Sequence, residues 1–100
     1  MAIAVGNAVI LKASEKVPMT SLYVSELWKE AGIPDGIWTV INGDKDAVNE
    51  LLENPTVQAI SFVGSTPVAK YIYETGSKYG KRVTALGGGK NHMVVMPDAD

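Results

Sequence analysis

One hundred residues, 46% of them hydrophobic and 20% charged, make a chain of single-domain size that can build a core and is too apolar for disorder. A net charge of −2 gives no electrostatic basis for binding nucleic acid or an anionic membrane, and no apolar run reaches the roughly 18 residues of a membrane span. There is no cysteine and His92 is the single histidine, which removes disulfides, thiolate nucleophiles and Cys- or His-based metal sites from these residues.

Met1 to Gly6 is apolar but has no basic segment and is too short for a signal peptide. Residues 1 to 7 read as buried packing rather than as an exposed tail. Ala8 to Leu11 predicts a strand ending at Lys12. Ser14 to Val17 is turn material before Pro18, a good first helical residue. Met19, Leu22, Tyr23 and Leu27 then share one helical face, and Gly32 stops the helix before the turn Ile33-Pro34-Asp35-Gly36. Ile37 to Ile41 predicts a second strand, closed by Asn42-Gly43. Asp44 is a fair N-cap for a second helix with Ala47, Val48, Leu51 and Leu52 on one face, ended by Asn54-Pro55. Ala59 to Val63 predicts the third strand. The third helix opens near Pro67 and runs from Val68 to about Lys78, with Ala69, Ile72, Tyr73 and Gly76 facing inward. Arg82 to Leu86 is a fourth strand running into Gly87-Gly88-Gly89, and His92 to Met96 a fifth, closed by Pro97.

Strands alternating with helices predict an α/β fold: a mostly parallel sheet, right-handed crossovers and helices on both faces. No repeat, low-complexity segment or linker interrupts the chain. Neither end carries a natural boundary, so residues 1–100 are expected to be part of one domain of a longer protein.

Ligands of open parallel sheets bind beyond the carboxyl ends of the strands. Three groups stand there: Lys12 to Lys16, Gly64 to Thr66, and Gly87 to Gly89. Gly64-Ser65-Thr66 reads as strand, tight turn and helix start, where unpaired N–H groups and the helix dipole suit a phosphate. The same residues equally describe a plain turn with Thr66 as N-cap. Glu15 could accept both hydroxyls of a ribose with Lys12 beside it, or the two could be a solvated charge pair. Gly87-Gly88-Gly89 allows close backbone approach to a ligand, or only loop flexibility. Lys90 and His92 could form an acid/base couple, but with no nucleophile near them they read as structural. The G-x-G-x-x-G fingerprint is absent, and Gly76 to Lys81 fails the Walker A pattern in spacing and at Arg82.

Leu11-Lys12-Ala13-Ser14-Glu15-Lys16, Lys29-Glu30-Ala31-Gly32-Ile33-Pro34-Asp35-Gly36, Ile41-Asn42-Gly43, Ile60-Ser61-Phe62-Val63-Gly64-Ser65-Thr66, and Leu86-Gly87-Gly88 with Pro97-Asp98-Ala99-Asp100, in that order, resemble the NAD-binding region of the aldehyde dehydrogenase superfamily. Val63 to Ala69 and Gly89 to Asp100 are similar to its CoA-acylating branch, which oxidises malonate and methylmalonate semialdehydes with NAD. The resemblance implies a modified Rossmann fold without the glycine fingerprint. It implies that Lys12 and Glu15, with Lys16 beside them, hold the adenosine ribose and that Ser65 contacts the pyrophosphate. Gly64 and Gly87 complete the implied cofactor-binding set. Ala13 replaces the usual proline, which should cost loop rigidity alone. Ala85 stands where hydrolytic relatives carry a water-activating glutamate before Leu-Gly-Gly, and alanine cannot act as a base.

The nucleophilic cysteine and the oxyanion-hole asparagine are implied to lie outside these residues. The chain by itself is therefore expected to hold no catalytic residue and no metal ligand, and to be inactive. Implied partners of the longer enzyme are NAD, coenzyme A, a small semialdehyde and further copies of itself as a dimer or tetramer. No nucleic acid or membrane partner is expected, and the expected location is the cytoplasm, or the mitochondrial matrix in a eukaryote. A hydrolytic NAD-dependent aldehyde dehydrogenase and a non-catalytic nucleotide-binding α/β module are the competing readings.

Overall fold

Among the described residues four strands form, β1 (Val9–Lys12), β2 (Trp38–Ile41), β3 (Ala59–Val63) and β4 (Arg82–Leu86), and the ladders joining them are parallel. A computed structural model describes residues 1–89 and 91–100, which divide into two units, Met1–Leu51 and Leu52–Asp100. β1 pairs with β2 and β3 with β4, so the pairing takes the form of two two-stranded sheets. Parallel neighbours need a crossover, and a helix supplies it in each unit: α1 (Pro18–Glu30) in the first and α3 (Thr66–Lys78) in the second. The α/β class and the alternation of elements are those expected from the sequence. α2 (Lys45–Glu53) links the two sheets along the chain.

In the first unit the register runs from Val9↔Trp38 to Lys12↔Ile41. The Ala13 N–H extends the ladder by donating to the Ile41 carbonyl at 3.0 Å, and Ala13 is buried. Pro18 opens α1 with its fixed φ and no N–H to leave unpaired. The half-buried stripe of α1 is Pro18, Ser21, Leu22 and Ser25, at i, i+3, i+4 and i+7. Met19, Tyr23 and Leu27, expected on the inner face, are exposed within this chain. The reason is polar: Ser25 Oγ accepts a hydrogen bond from Trp38 Nε1 at 2.9 Å and donates to the Ser21 carbonyl at 2.9 Å. A half-buried indole N–H needs such a partner, which turns the serines toward β2. Trp28 and Trp38 stack tilted, with ring centroids 6.0 Å apart.

Residues 1–7 do not form buried packing. They make a 3-10 turn at Ile3–Val5 and are exposed apart from a half-buried Ile3. The Asp44 side chain accepts from the Asp46 N–H at 3.2 Å, as an N-cap of α2 should.

In the second unit the register runs from Ala59↔Arg82 to Val63↔Leu86. α3 begins at Thr66, with Pro67 in its first turn, and buries Ala69, Ile72 and Gly76. Tyr73 is exposed. Gly76 is required by contact: a Cβ there would lie 2.7 Å from Val83 Cγ2 and 3.4 Å from Leu52 Cδ2. The strands alternate accordingly. Ile60, Phe62, Val83 and Ala85 are half-buried, while Ser61, Val63, Thr84 and Leu86 are exposed. Lys81, 8% exposed, donates from Nζ to the carbonyls of Asn54 and, at 2.6 Å, Val57, and so holds the turn that follows α2.

The fifth apolar run, His92 to Met96, is not a strand, and its residues are exposed. Extended apolar sequence becomes a strand only when a ladder partner lies beside it, and no described strand pairs with these residues.

Candidate functional site

Lys12 is the last residue of β1, and the loop 14–17 turns back over it before α1. Ser14 shapes that loop: its Oγ accepts from the Lys16 N–H at 3.3 Å and its carbonyl from the Val17 N–H at 3.2 Å. The turn carries Glu15 within 3.5 Å of Lys12 Nζ. Lys12 is anchored from the other side as well, donating to the Gly43 carbonyl at 3.0 Å. The register explains this, because Lys12↔Ile41 leaves Gly43 two residues beyond the end of the ladder. Gly43 sits at φ +149, and a Cβ on it would lie 2.6 Å from that of Ala47.

The two side chains differ in exposure, 19% for Lys12 and 56% for Glu15. The ammonium is therefore fixed and the carboxylate is presented to solvent. Backbone hydrogen bonding at Glu15 itself, then the Lys12 ammonium, hold that carboxyl below its ordinary value, and Lys16 adds to the effect. Glu15 is an ionised acceptor in a fixed place. As a stabilising pair it counts for little, since exposed ion pairs are screened. Lys16 is exposed and contributes field rather than contact.

The second group lies between β3 and α3. Gly64 N–H donates to the Leu86 carbonyl at 3.0 Å, extending the β3–β4 ladder by one bond. A Cβ at Gly64 would meet the Phe62 ring at 2.4 Å. Ser65, not Thr66, is the N-cap of α3, with φ −66° and ψ 147°. Its carbonyl accepts from the Ala69 N–H at 2.9 Å, and its exposed side chain makes no capping bond. The hydroxyl is thus left beside the first amides of a thirteen-residue helix. Thr66 is turned elsewhere: its Oγ1 accepts from the Gly88 N–H at 3.0 Å. Gly87 and Gly88 are thereby brought to the same turn as Gly64 and Ser65.

Among the six residues singled out, Lys12, Glu15 and Lys16 form one group and Gly64, Ser65 and Gly87 another. The sequence reads Gly43 only as the close of β2, and Thr66 only as part of the 64–66 turn and its alternative N-cap. The Asn-Gly pair after β2 is a readable signal for Gly43. Lys90 lies outside the described residues. His92 is exposed and begins no strand.

Ala85 is paired with Phe62 and shares the strand face of Val83, which α3 covers. The residue whose side chain stands free at the strand end is Leu86, 57% exposed. Neither position offers an acid or a base. A shallow concavity of about 500 Å³ lies elsewhere, lined by Met1, Ala2, Ile3, Ala4, Val9 and the two tryptophans. No titratable side chain lines it, which leaves it without chemistry of its own.

The aldehyde dehydrogenase family profile matches residues 1–100. Malonate-semialdehyde dehydrogenase of Pseudomonas aeruginosa is 61% identical over all 100 residues, which cover 20% of its length. Malonate-semialdehyde dehydrogenase 1 of Geobacillus thermodenitrificans is 57% identical over the same residues, 21% of its length. Among solved structures, methylmalonate-semialdehyde dehydrogenase of Oceanimonas doudoroffii matches 100% of this chain at a TM-score of 0.92 and 59% identity. A candidate methylmalonate-semialdehyde dehydrogenase of Sinorhizobium meliloti 1021, complexed with NAD, matches 99% at a TM-score of 0.91 and 56% identity. In both, the matched part is 20% of the solved chain.

Proposed function

The chain belongs to the aldehyde dehydrogenase family, and from that premise we propose that it is the NAD-binding segment of a longer, CoA-acylating dehydrogenase acting on malonate or methylmalonate semialdehyde. The observation that carries the cofactor assignment is Glu15: an exposed carboxylate, ionised and fixed in the loop after β1 by its own backbone and by Lys12. Such a group suits a vicinal diol, because a carboxylate accepts two hydroxyl hydrogens at once. Lys12, held by the Gly43 carbonyl, keeps the carboxylate turned outward and can donate to the same sugar. Ser65 and the first amides of α3 suit the pyrophosphate, since the hydroxyl is not used as a cap and the helix end is electropositive. Gly87, lying against Thr66 without a side chain, keeps the backbone open beside that turn. When bound, NAD supplies a hydride acceptor.

Each of the two groups thus suits its own part of the dinucleotide, and the NAD complex of the Sinorhizobium relative supports the same reading. Ala85 supports CoA as the acyl acceptor: where the resemblance puts the water-activating carboxylate of hydrolytic relatives, this chain has a residue that cannot act as a base, which suits a thioester that waits for a thiol. The semialdehydes in the relatives' names point to the substrate.

The test is steady-state and burst kinetics of the full-length protein with malonate semialdehyde and NAD. The expected result is acyl-CoA as the main product, with turnover falling sharply when CoA is omitted while a first burst of NADH remains. Free acid formed at one rate with and without CoA would exclude the acylating assignment.

A further inference from the structure

Thr66 stands between the two loops that carry Ser65 and Gly87. Its Oγ1 accepts from the Gly88 N–H at 3.0 Å, across 22 residues of chain. The glycine loop lies at contact distance from it. A Cβ on Gly87 would come 3.0 Å from Thr66 Oγ1 and 3.1 Å from its Cα, and one on Gly88 3.2 Å from the same oxygen. A backbone bond from Gly64 N–H to the Leu86 carbonyl, 3.0 Å, joins the same two loops one step closer to the strands. The helix does not need the threonine hydroxyl, because Ser65 is the N-cap and its carbonyl already takes the Ala69 N–H. Nor is Thr66 buried, so packing does not account for where its side chain points.

We infer that Thr66 is a positioning residue, whose hydroxyl sets the spacing between the 64–66 turn and the 87–89 loop and so holds Ser65 and Gly87 in register for the cofactor pyrophosphate. The inference rests on the NAD-binding reading given above. Thr66 acts through its neighbours: the hydroxyl orders the loop, and Ser65 with the open backbone at Gly87 receives the ligand. Thr66→Val keeps the branched shape, removes the acceptor and leaves the Gly88 N–H unpaired. Thr66→Ser keeps the acceptor. Gly87→Ala disturbs the same contact from the opposite side.

The experiment measures the NAD dissociation constant, KM and kcat, and amide hydrogen exchange at Gly88, all in the full-length protein. Thr66→Val is expected to weaken NAD binding about five- to tenfold, the equivalent of one lost hydrogen bond, with the change in KM and not in kcat. Gly88 should exchange faster in that variant, and Thr66→Ser should return both readouts to within about twofold of wild type. Gly87→Ala should weaken NAD in the same manner, which keeps the test available if Thr66→Val does not fold. Faster exchange at Gly88 with NAD affinity unchanged would overturn the positioning role and leave the cofactor reading standing. No NAD binding by the wild-type protein would instead overturn the cofactor reading, and this inference with it.

Discussion

On the proposed acylating reading, a carboxylate placed before Leu86-Gly87-Gly88 should shift the product toward free acid, and the resemblance names Ala85 as the position. Side chains alternate along a strand, so positions 85 and 86 face opposite ways. Val83 meets α3 at Gly76, and Ala85 shares its face. A glutamate at 85 would leave from the half-buried layer between β4 and α3, beside Phe62. Partial desolvation of its carboxylate should cost about 1–3 kcal/mol of stability. Leu86 is 57% exposed and little packing is lost when it is replaced. A glutamate at 86 keeps its charge hydrated, on the face opposite to position 85.

General-base assistance is worth about 10²–10⁴-fold. Ala85→Glu is therefore expected to raise CoA-independent turnover by about a hundredfold, the lower end of that range, because the new base has not been tuned. Leu86→Glu, on the opposite face, should leave that rate unchanged, and Ala85→Glu should also lower the melting temperature. The assay follows free acid and acyl-CoA by chromatography, with and without CoA, beside a thermal melt of each full-length variant. Free acid from Leu86→Glu, with none from Ala85→Glu, would refute the placement of the base at 85.

Glu15→Gln should raise the NAD dissociation constant several-fold and narrow the preference for NAD over NADP, since a carboxylate repels a 2′-phosphate and an amide does not; dissociation constants for both cofactors check it. Because the Glu15 carboxyl is held below its ordinary value, it is protonated only at lower pH than a free glutamate. NAD affinity should accordingly stay flat on acidification through the range in which a free glutamate titrates and weaken only below it. Lys81→Met removes the donor to two carbonyls of the 54–57 turn and should cost about 2–3 kcal/mol in denaturant unfolding, with little effect on NAD binding. Gly76→Ala gains about 1 kcal/mol of helix propensity but drives a Cβ to within 2.7 Å of Val83. Overpacking at about 1–3 kcal/mol outweighs that gain, so a lowered melting temperature is expected.

β3, α3 and β4 were legible nearly residue by residue because each signal there is local and each element finds its partner nearby in sequence. Pro67 fixes the helix start, small Ala69 and Gly76 mark the face that meets a strand, and the ladder lies one helix away. Where the same apolar signal has no such partner, it misleads. Met1 to Val5 and His92 to Met96 are as apolar as a strand, yet apart from a half-buried Ile3 both are exposed in this chain. Hydrophobicity states that a segment is buried by something. It does not say by what. In α1 the failure has another cause, since a hydrogen-bond requirement of Trp38 outranks the apolar stripe and turns Ser21 and Ser25 inward.

The site was legible in its parts and not in its joints. Lys12 and Glu15 are three residues apart, and a loop of that length allows few ways of keeping them separate. What fixes Lys12 is Gly43, 31 residues away, and what fixes the glycine loop is Thr66, 22 residues away. Both contacts are selected by strand register: Gly43 stands two residues past Ile41, and Thr66 and Gly88 stand three past Val63 and two past Leu86. Register is a property of a pair of strands, so no window along one strand can contain it. A parallel ladder with its crossover helix brings the ends of both strands to the same edge. Long-range contacts at that edge therefore follow once the pairing is known. The residues to search after the pairing is set are those one to three positions beyond the last ladder pair, where Gly43, Thr66 and Gly88 all stand.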